Sequence, residues 1–504
     1  MPLMKISPRA ATLGFTFAAV FLLGGAAGLA DEKRQPEKKP QPVEPASVEL
    51  FDVRNIEGWA VYIKKQNLVD HAAEMNRAID HMHNQLYQVR LVLPGPAVAI
   101  MQERVPVWVE FDAEPGTAFH PKHQWLLERG YPSPKGLASL VSVSRARRFC
   151  DCALHQPWVM CHELVHGYDY MYLGQRRHYS NSRLEDAYQR AKKSGGYESV
   201  LCRYSQATRH YAMSNPMEYL AENSEAYFGT NDFYPFVRAE LREHDPEMCT
   251  LLEDLFGVDV ERQQRTTRSL VEFLESPDRQ ATGKDSDRQQ APFLPTSKYE
   301  KRSVEGWTVQ VHPVLVRKKA CGDEICKLLR YKLHLVGRYL PDEALKRLRQ
   351  VPIWLEPDDP AVPYATYHAS SEEIASAGLN PEKLQAIEIG NPEAFRRWQS
   401  LQPFMLMNRM ARAYHDRFLG EEERAEIEEA WQRAVDGGKY DSVLRFDGRH
   451  VRHPALTSPL EFFAEMTESY YGVNDHYPFL QFEARQHDPE TCRLLAKLWG
   501  GKAK

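Results

Sequence analysis

Apolar residues change their spacing in the same order twice along this chain. An alternating run, Trp59-Ala-Val-Tyr-Ile63, has the period of two expected of a half-buried strand. A helical stretch follows, then an apolar strand over Val105 to Phe111 and another over Leu137 to Val143. After that the apolar spacing becomes helical, through about 155 to 173 and again through 216 to 228. Pro216 suits the first turn of the second of these helices and Gly229 its end. A small sheet followed by helices predicts the α+β class.

The same order returns downstream, and the residues return with it. Glu57-Gly58-Trp59 recurs as Glu305-Gly306-Trp307, and Val105-Pro106-Val107-Trp108 as Val351-Pro352-Ile353-Trp354. The run from Gly229 through Asn231-Asp232, Tyr234 and Phe236 recurs from Gly472 through Asn474-Asp475, Tyr477 and Phe479. His244-Asp245-Pro246-Glu247 recurs as His487-Asp488-Pro489-Glu490. The offset drifts only from 248 to 243, which identifies a tandem duplication. Leu384 to Ile389 is the expected counterpart of the strand Leu137 to Val143, and the Asn-Asp-x-Tyr-Pro-Phe loop is expected to be a structural turn that caps the next helix. The predicted organisation is a first domain over 48–260, a linker over 261–298 with one short helix around Leu270 to Leu274, and a second domain over 299–504.

The first 47 residues stand apart. Lys5 and Arg9 precede an apolar run from Ala10 to Leu29, with Gly28 and Ala30 as the small residues before a cut at Asp31. Residues 1–30 are therefore expected to be a signal peptide, which places the protein in a secreted or cell-envelope, extracytoplasmic setting. Left uncleaved, the same run is long enough to anchor the chain in a membrane. Residues 31–47, charged and proline-rich, are expected to be a disordered tether. Eight cysteines in an exported chain permit disulfides, with Cys321 and Cys326 the likeliest local pair. A composition of 43% hydrophobic residues supplies real cores, and a net charge of −5 argues against nucleic acid as a partner.

Candidate chemistry sits in the first copy, in Trp158-Val-Met-Cys-His162-Glu163-Leu164-Val165-His166. This is HExxH in an apolar helical context. His162 and His166 lie one turn apart on one face, so both imidazoles can reach one ion, whereas Glu163 is turned about 100° away, toward a water on that ion. Zinc would bring that water's pKa to about 7, and a carboxylate could then take its proton as a peptide carbonyl is attacked. A third protein ligand is needed. Glu218, Glu222 and Glu225, spaced i, i+4 and i+7 on one face, are the supply, and spacing alone does not choose among them.

The same residues carry a resemblance. An HExxH helix with an acid one turn on, followed by Tyr211-Ala-Met-Ser214-Asn215-Pro-Met-Glu218-Tyr219-Leu220-Ala221-Glu222, resembles the gluzincin peptidases, and most closely the catalytic domain of anthrax lethal factor and its relatives. Their pattern is Tyr-x-x-Thr/Ser-Asn-x-x-Glu-Phe-Phe-Ala-Glu. This chain departs from it with Tyr219-Leu220 in place of Phe-Phe and with Pro216 inside the segment. The resemblance covers roughly residues 137 to 230 and implies one zinc ion held by His162, His166 and Glu218, with Glu163 as general base; together with the duplication it leads to the expectation of two tandem zincin-like domains. It also implies Tyr211 as the hydroxyl donor to the oxyanion and Asp169 as an acceptor that orients a ligand histidine. Glu222 is the main rival to Glu218 as third ligand, and otherwise supports His166 or the helix. A protein or peptide would be the substrate, and the strand Leu137 to Val143 would offer it an edge.

The second copy lacks this chemistry. His162, Glu163 and His166 align with Asn408, Arg409 and Arg412, and Tyr211 with Pro454, while Glu218, Glu222 and Glu225 persist as Glu461, Glu465 and Glu468. Two arginines would repel a metal ion, so the second copy is expected to be a degenerate domain in which Arg409 or Arg412 pairs with Glu461. That domain would bind substrate or a partner. The alternative reading of the whole chain is a non-catalytic extracytoplasmic binding protein on a peptidase-like scaffold.

Overall fold

The computed structural model of the chain describes residues 48–112, 116–128, 140–152, 156–174, 179–203, 207–275, 293–359, 362, 364–399 and 402–501. The predicted signal peptide and tether, and residues 276–292 of the predicted linker, lie outside these. The described chain is mixed α+β and falls into two similar halves. Among the described residues no helix is long and apolar enough to cross a membrane.

In the first half the strands are β1 (Phe51–Ile56), β2 (Trp59–Lys64), β3 (Val107–Val109), β4 (Thr117–His120) and β5 (Leu140–Val143). They form one sheet in the order β1-β2-β3-β5-β4. β2, β3 and β5 run parallel, while β1 and β4 are antiparallel edges. The opening hairpin explains the repeated Glu-Gly-Trp. Glu57 and Gly58 form its two-residue loop with φ of 53° and 97°, and Glu305 and Gly306 repeat it with 50° and 89°. Positive φ at both loop positions matches the twist of a tight hairpin, and glycine bears it without strain. The strand predicted over Leu137 to Val143 is β5, and it is interior. β4 has the free edge, so the predicted substrate edge moves one strand outward.

Three helices matter for the site and its surroundings. α1 (Ala72–Val92) backs the sheet, α2 (Val159–Tyr168) carries HExxH, and α3 (Pro216–Phe228) carries the acids. α2 continues as a π-helical turn over Asp169–Leu173. α3 starts where the sequence places it. Asn215 Oδ1 accepts from the Glu218 amide, Pro216 fills the first turn, and all residues from Glu218 to Phe228 are buried. The predicted linker begins instead with a 16-residue helix, α4 (Val260–Glu275), three turns longer than the short helix expected there.

The second half repeats the sheet with β6 (Glu300–Val304), β7 (Trp307–Val311), β8 (Ile353–Leu355), β9 (Ala365–Tyr367) and β10 (Ile387–Ile389), in the order β6-β7-β8-β10-β9. α5 (Lys319–Tyr339), α6 (Met405–Phe418) and α7 (Pro459–Tyr471) stand where α1, α2 and α3 do. Cys321 and Cys326 are both on α5 and both free. Five positions on a helix turn the side chains about 140° apart, which rules out the local disulfide expected between them. Cys150, Cys161, Cys249 and Cys492 are free as well.

The halves meet along a seam built from repeated residues. Phe236 and Val237 pack with Phe479 and Leu480 in one apolar cluster. The Asn-Asp-x-Tyr-Pro-Phe loop is therefore structural in a second sense, because it also supplies the contact between the copies. Glu57, buried at its hairpin, accepts from Lys327 of the other half at 2.5 Å and from His83 at 2.6 Å. These partners outweigh burial, which alone would raise the Glu57 pKa, and hold it below the ordinary carboxylate value.

Close backbone approach explains another repeated residue. A Cβ at Gly229 would lie 1.9 Å from the Trp158 ring, and one at Gly472 would lie 2.2 Å from the Phe404 ring. Gly229→Ala is therefore expected to cost about 2 kcal/mol in a thermal melt. Gly95→Ala is the control, with nothing within 4 Å of the added carbon, and should leave the melt unchanged. Equal melting of the two variants would contradict this packing.

Candidate metal centre

α2 and α3 pack side by side beneath β4 and bring the predicted residues together. His162 Nε2 lies 3.0 Å, and His166 Nε2 3.3 Å, from the same atom, Glu218 Oε2. All three side chains are buried, and one donor atom from each lies within 4.8 Å of the others. Four donors around zinc at about 2.0–2.1 Å stand roughly 3.3 Å apart, so this spacing suits one ion with a position left over.

Charge supports the same fit. Glu163, Glu218, Glu222, Glu225 and Asp232 crowd round His162, and the buried atoms Glu222 Oε2 and Glu225 Oε2 have no hydrogen-bond partner. Burial raises the Glu222 carboxyl well above its ordinary value, and Asp232, Glu225 and Glu218 add to the rise. Burial opposes charge on His162, but its hydrogen bonds to Glu218 and Glu225 prevail and raise its pKa well above that of free histidine. Glu218 moves the other way: burial would raise it, but His166 and His162 hold it well below the carboxylate range. A carboxylate kept ionised between two imidazoles is a ready cation ligand.

The Glu163 carboxylate lies beside this group, on the side of the sheet edge. Its Oε2 accepts from the Phe119 amide of β4 at 2.7 Å. Burial raises its pKa, against the pull of His162 and His166. Tyr211 opens the short helix Tyr211–Ser214 ahead of α3 and is 40% exposed, so a ligand can reach it. Its hydroxyl is pushed up to about 12, first by burial and then by Glu218, so it remains a donor at neutral pH.

Neither Asp169 nor Glu222 makes a short hydrogen bond to a ligand histidine. Asp169 is buried, but neither carboxylate oxygen has a hydrogen-bond partner, and burial pushes its pKa to about 6. Glu222 Oε1 is 3.5 Å from His162 Nδ1, beyond a good hydrogen bond. The acceptor that fixes the ring is Glu225, whose Oε1 is 2.7 Å from His162 Nδ1 and also takes 2.9 Å from Gln156 Nε2. Asn231 and Tyr179 complete the surroundings. Asn231 caps its own loop through the Asp232 amide. Burial, then Asp169, Glu163 and Glu218, raise the Tyr179 hydroxyl, which makes it a second protonated donor beside the site. Spacing had already put Glu225 among the candidates. Nothing local marks Tyr179, which follows the π-helical turn by six residues.

The second half shows the same frame with its polarity reversed. Asn408 Nδ2 donates to Glu465 Oε1 at 3.0 Å and to Glu468 Oε2 at 3.3 Å. Asn408 Oδ1 accepts from Arg409 and Arg412, and Arg412 pairs with Glu461 as expected. Where Glu163 accepts from a β4 amide, Arg409 Nε donates to the Ala365 carbonyl of β9 at 2.9 Å. The arginines thus take the place of a cation. Arg412→Met is expected to lower the stability of the full chain by about 1 kcal/mol or more, because Glu461 is left half-buried without a partner. An unchanged melting temperature would contradict the pairing.

Comparison with known protein families, curated proteins and solved structures finds no match for this chain.

Proposed function

We propose that the first half is a zinc-dependent peptidase and the second its degenerate copy, acting outside the cytoplasm on a protein or peptide substrate. One observation carries this reading: the imidazoles of His162 and His166 converge on one oxygen of Glu218, with the Glu163 carboxylate beside them and turned toward the sheet edge. His162, His166 and Glu218 would hold the ion. A bound zinc would supply Lewis acidity, acidifying a water toward neutrality and polarising a carbonyl.

The chain's own residues divide the remaining work. Glu163, raised by burial, takes a proton as the nucleophile forms and returns it to the leaving amine. Tyr211 donates its hydroxyl hydrogen to the oxygen on which charge develops. Glu225 accepts from His162 Nδ1, which leaves Nε2 free for the ion. β4 orients the substrate. Backbone groups two residues apart on an edge strand face the same way, so Thr117 presents its amide and carbonyl on the side where Phe119 meets Glu163. An extended peptide added to that edge would lie against the acid–base group.

The experiment is cleavage of a peptide library by the full chain beside its Glu163→Gln variant, with bound metal assayed in both. Cleavage by the parent alone, with one zinc in each, supports the reading. Zinc-free protein that cleaves nothing would leave a binding protein instead.

A further inference from the structure

A cavity of about 1260 Å³ lies between the two halves, lined by α1, α4 and α5 and by the seam loops. None of His162, Glu163, His166 or Glu218 borders it. The chain as a whole is acidic, yet this wall carries seven arginines and one lysine against two carboxylates, Glu272 and Asp447. Asp447 is already engaged by Arg445 and Arg449.

Two of these cations, Lys332 and Arg338, are held by groups that carry no charge, whereas Arg242 pairs with Glu253 at 3.6 Å. Lys332 is 5% exposed, and its Nζ donates to the Pro403 carbonyl at 2.8 Å. Burial lowers its pKa to about 7. Arg338 donates to the Cys150 carbonyl at 2.6 Å and faces His81 Nδ1 at 3.2 Å. That second contact is poorly matched. Gln85 Oε1 accepts from the Met160 amide, so its Nε2 donates to His81 Nε2. Burial keeps His81 neutral, so its single proton sits on Nδ1 and meets the guanidinium donor to donor. A lysine buried without a carboxylate is costly, and an anion would relieve it.

A second feature narrows the class of anion. Asn84 is 2% exposed at the cavity wall, and both its Nδ2 and its Oδ1 lack a partner. Both atoms are covered, and a turn of the side chain toward the cavity would present one donor and one acceptor side by side, the complement of a peptide group. The volume also exceeds the roughly 300–1,000 Å³ usual for small-molecule pockets.

We propose that this cavity captures an acidic peptide segment, with Asn84 pairing to its backbone and Arg338, Lys332 and their neighbours to its carboxylates. Capture does not depend on the peptidase reading, because the cavity and the HExxH site share no ligand.

The test uses the full chain carrying Glu163→Gln, so that no probe is cut. A fluorescein-labelled octapeptide alternating Glu and Leu is titrated by fluorescence polarisation beside its Gln-for-Glu counterpart. Saturable binding of the Glu peptide, at least tenfold tighter than the Gln peptide and weakened by salt, is expected. Asn84→Ala and Arg338→Gln should each weaken it about tenfold. Arg485→Gln, on the same wall, serves if Arg338→Gln fails to fold. Three results would overturn the proposal: no difference between the peptides, binding indifferent to all three substitutions, or full displacement by equimolar inorganic pyrophosphate, which would mark a small-anion site.

Discussion

Glu163→Gln is expected to reduce peptide hydrolysis by about a thousandfold while leaving one zinc bound per chain. The amide keeps the shape of the carboxylate, and its oxygen can still accept from the Phe119 amide, so β4 and α2 should hold their positions. Glutamine cannot take a proton at neutral pH, and a positioned general base is worth roughly 10²- to 10⁴-fold. His162, His166 and Glu218 are untouched, so metal content separates loss of the base from loss of the site. Hydrolysis within tenfold of the parent would show that Glu163 is not the base.

The second large effect concerns the acids of α3, for which the structure predicts a ranking. Glu218 Oε2 faces both imidazoles, so Glu218→Ala should lower zinc affinity more than 100-fold, as loss of a ligand does. Glu225 touches His162 only on the far side of its ring, and Glu225→Gln should cost about 10- to 100-fold, as loss of an orienting acceptor does. Glu222 lies farther from His162, and Glu222→Gln should cost least. Competition with a chromogenic chelator measures all three. If Glu222→Gln strips the metal and Glu218→Ala retains it, the assignment of the third ligand is wrong.

These variants probe a site that was legible in part because the chain is duplicated. Spacing placed His162 and His166 on one face and three acids on the facing helix, and both helices form where predicted. Spacing could not rank the acids, since rank depends on how α2 and α3 rotate against each other. The resemblance chose Glu218, whose Oε2 lies 3.0 Å from His162 Nε2 and 3.3 Å from His166 Nε2. Asp169, by contrast, sits beyond the last α-helical turn, where a π-helical turn carries it away from any hydrogen bond to the histidines. The sheet was harder to read. Phe51 to Ile56 shows no clean alternation, and β5 reads as an apolar run whether it is central or at an edge. Only pairing reveals that β4 closes the sheet.

The second half clarifies what the repeated acids do. Glu461, Glu465 and Glu468 persist without counterparts of His162 and His166, and Asn408 and Arg412 meet them directly. A positive centre beneath that helix is thus a requirement of the frame. In the first half the histidines, with an ion between them, would meet it. The cavity at the seam depends on both halves and has no motif, so reading either copy alone could not have found it.

Zinc K-edge X-ray absorption on the purified full chain would show directly whether His162 and His166 hold zinc. One zinc per chain is expected, with a first shell of nitrogen and oxygen only, at about 2.0–2.1 Å, including two imidazoles. Stoichiometric zinc with a sulfur shell near 2.3 Å, or protein that binds no zinc, would contradict it.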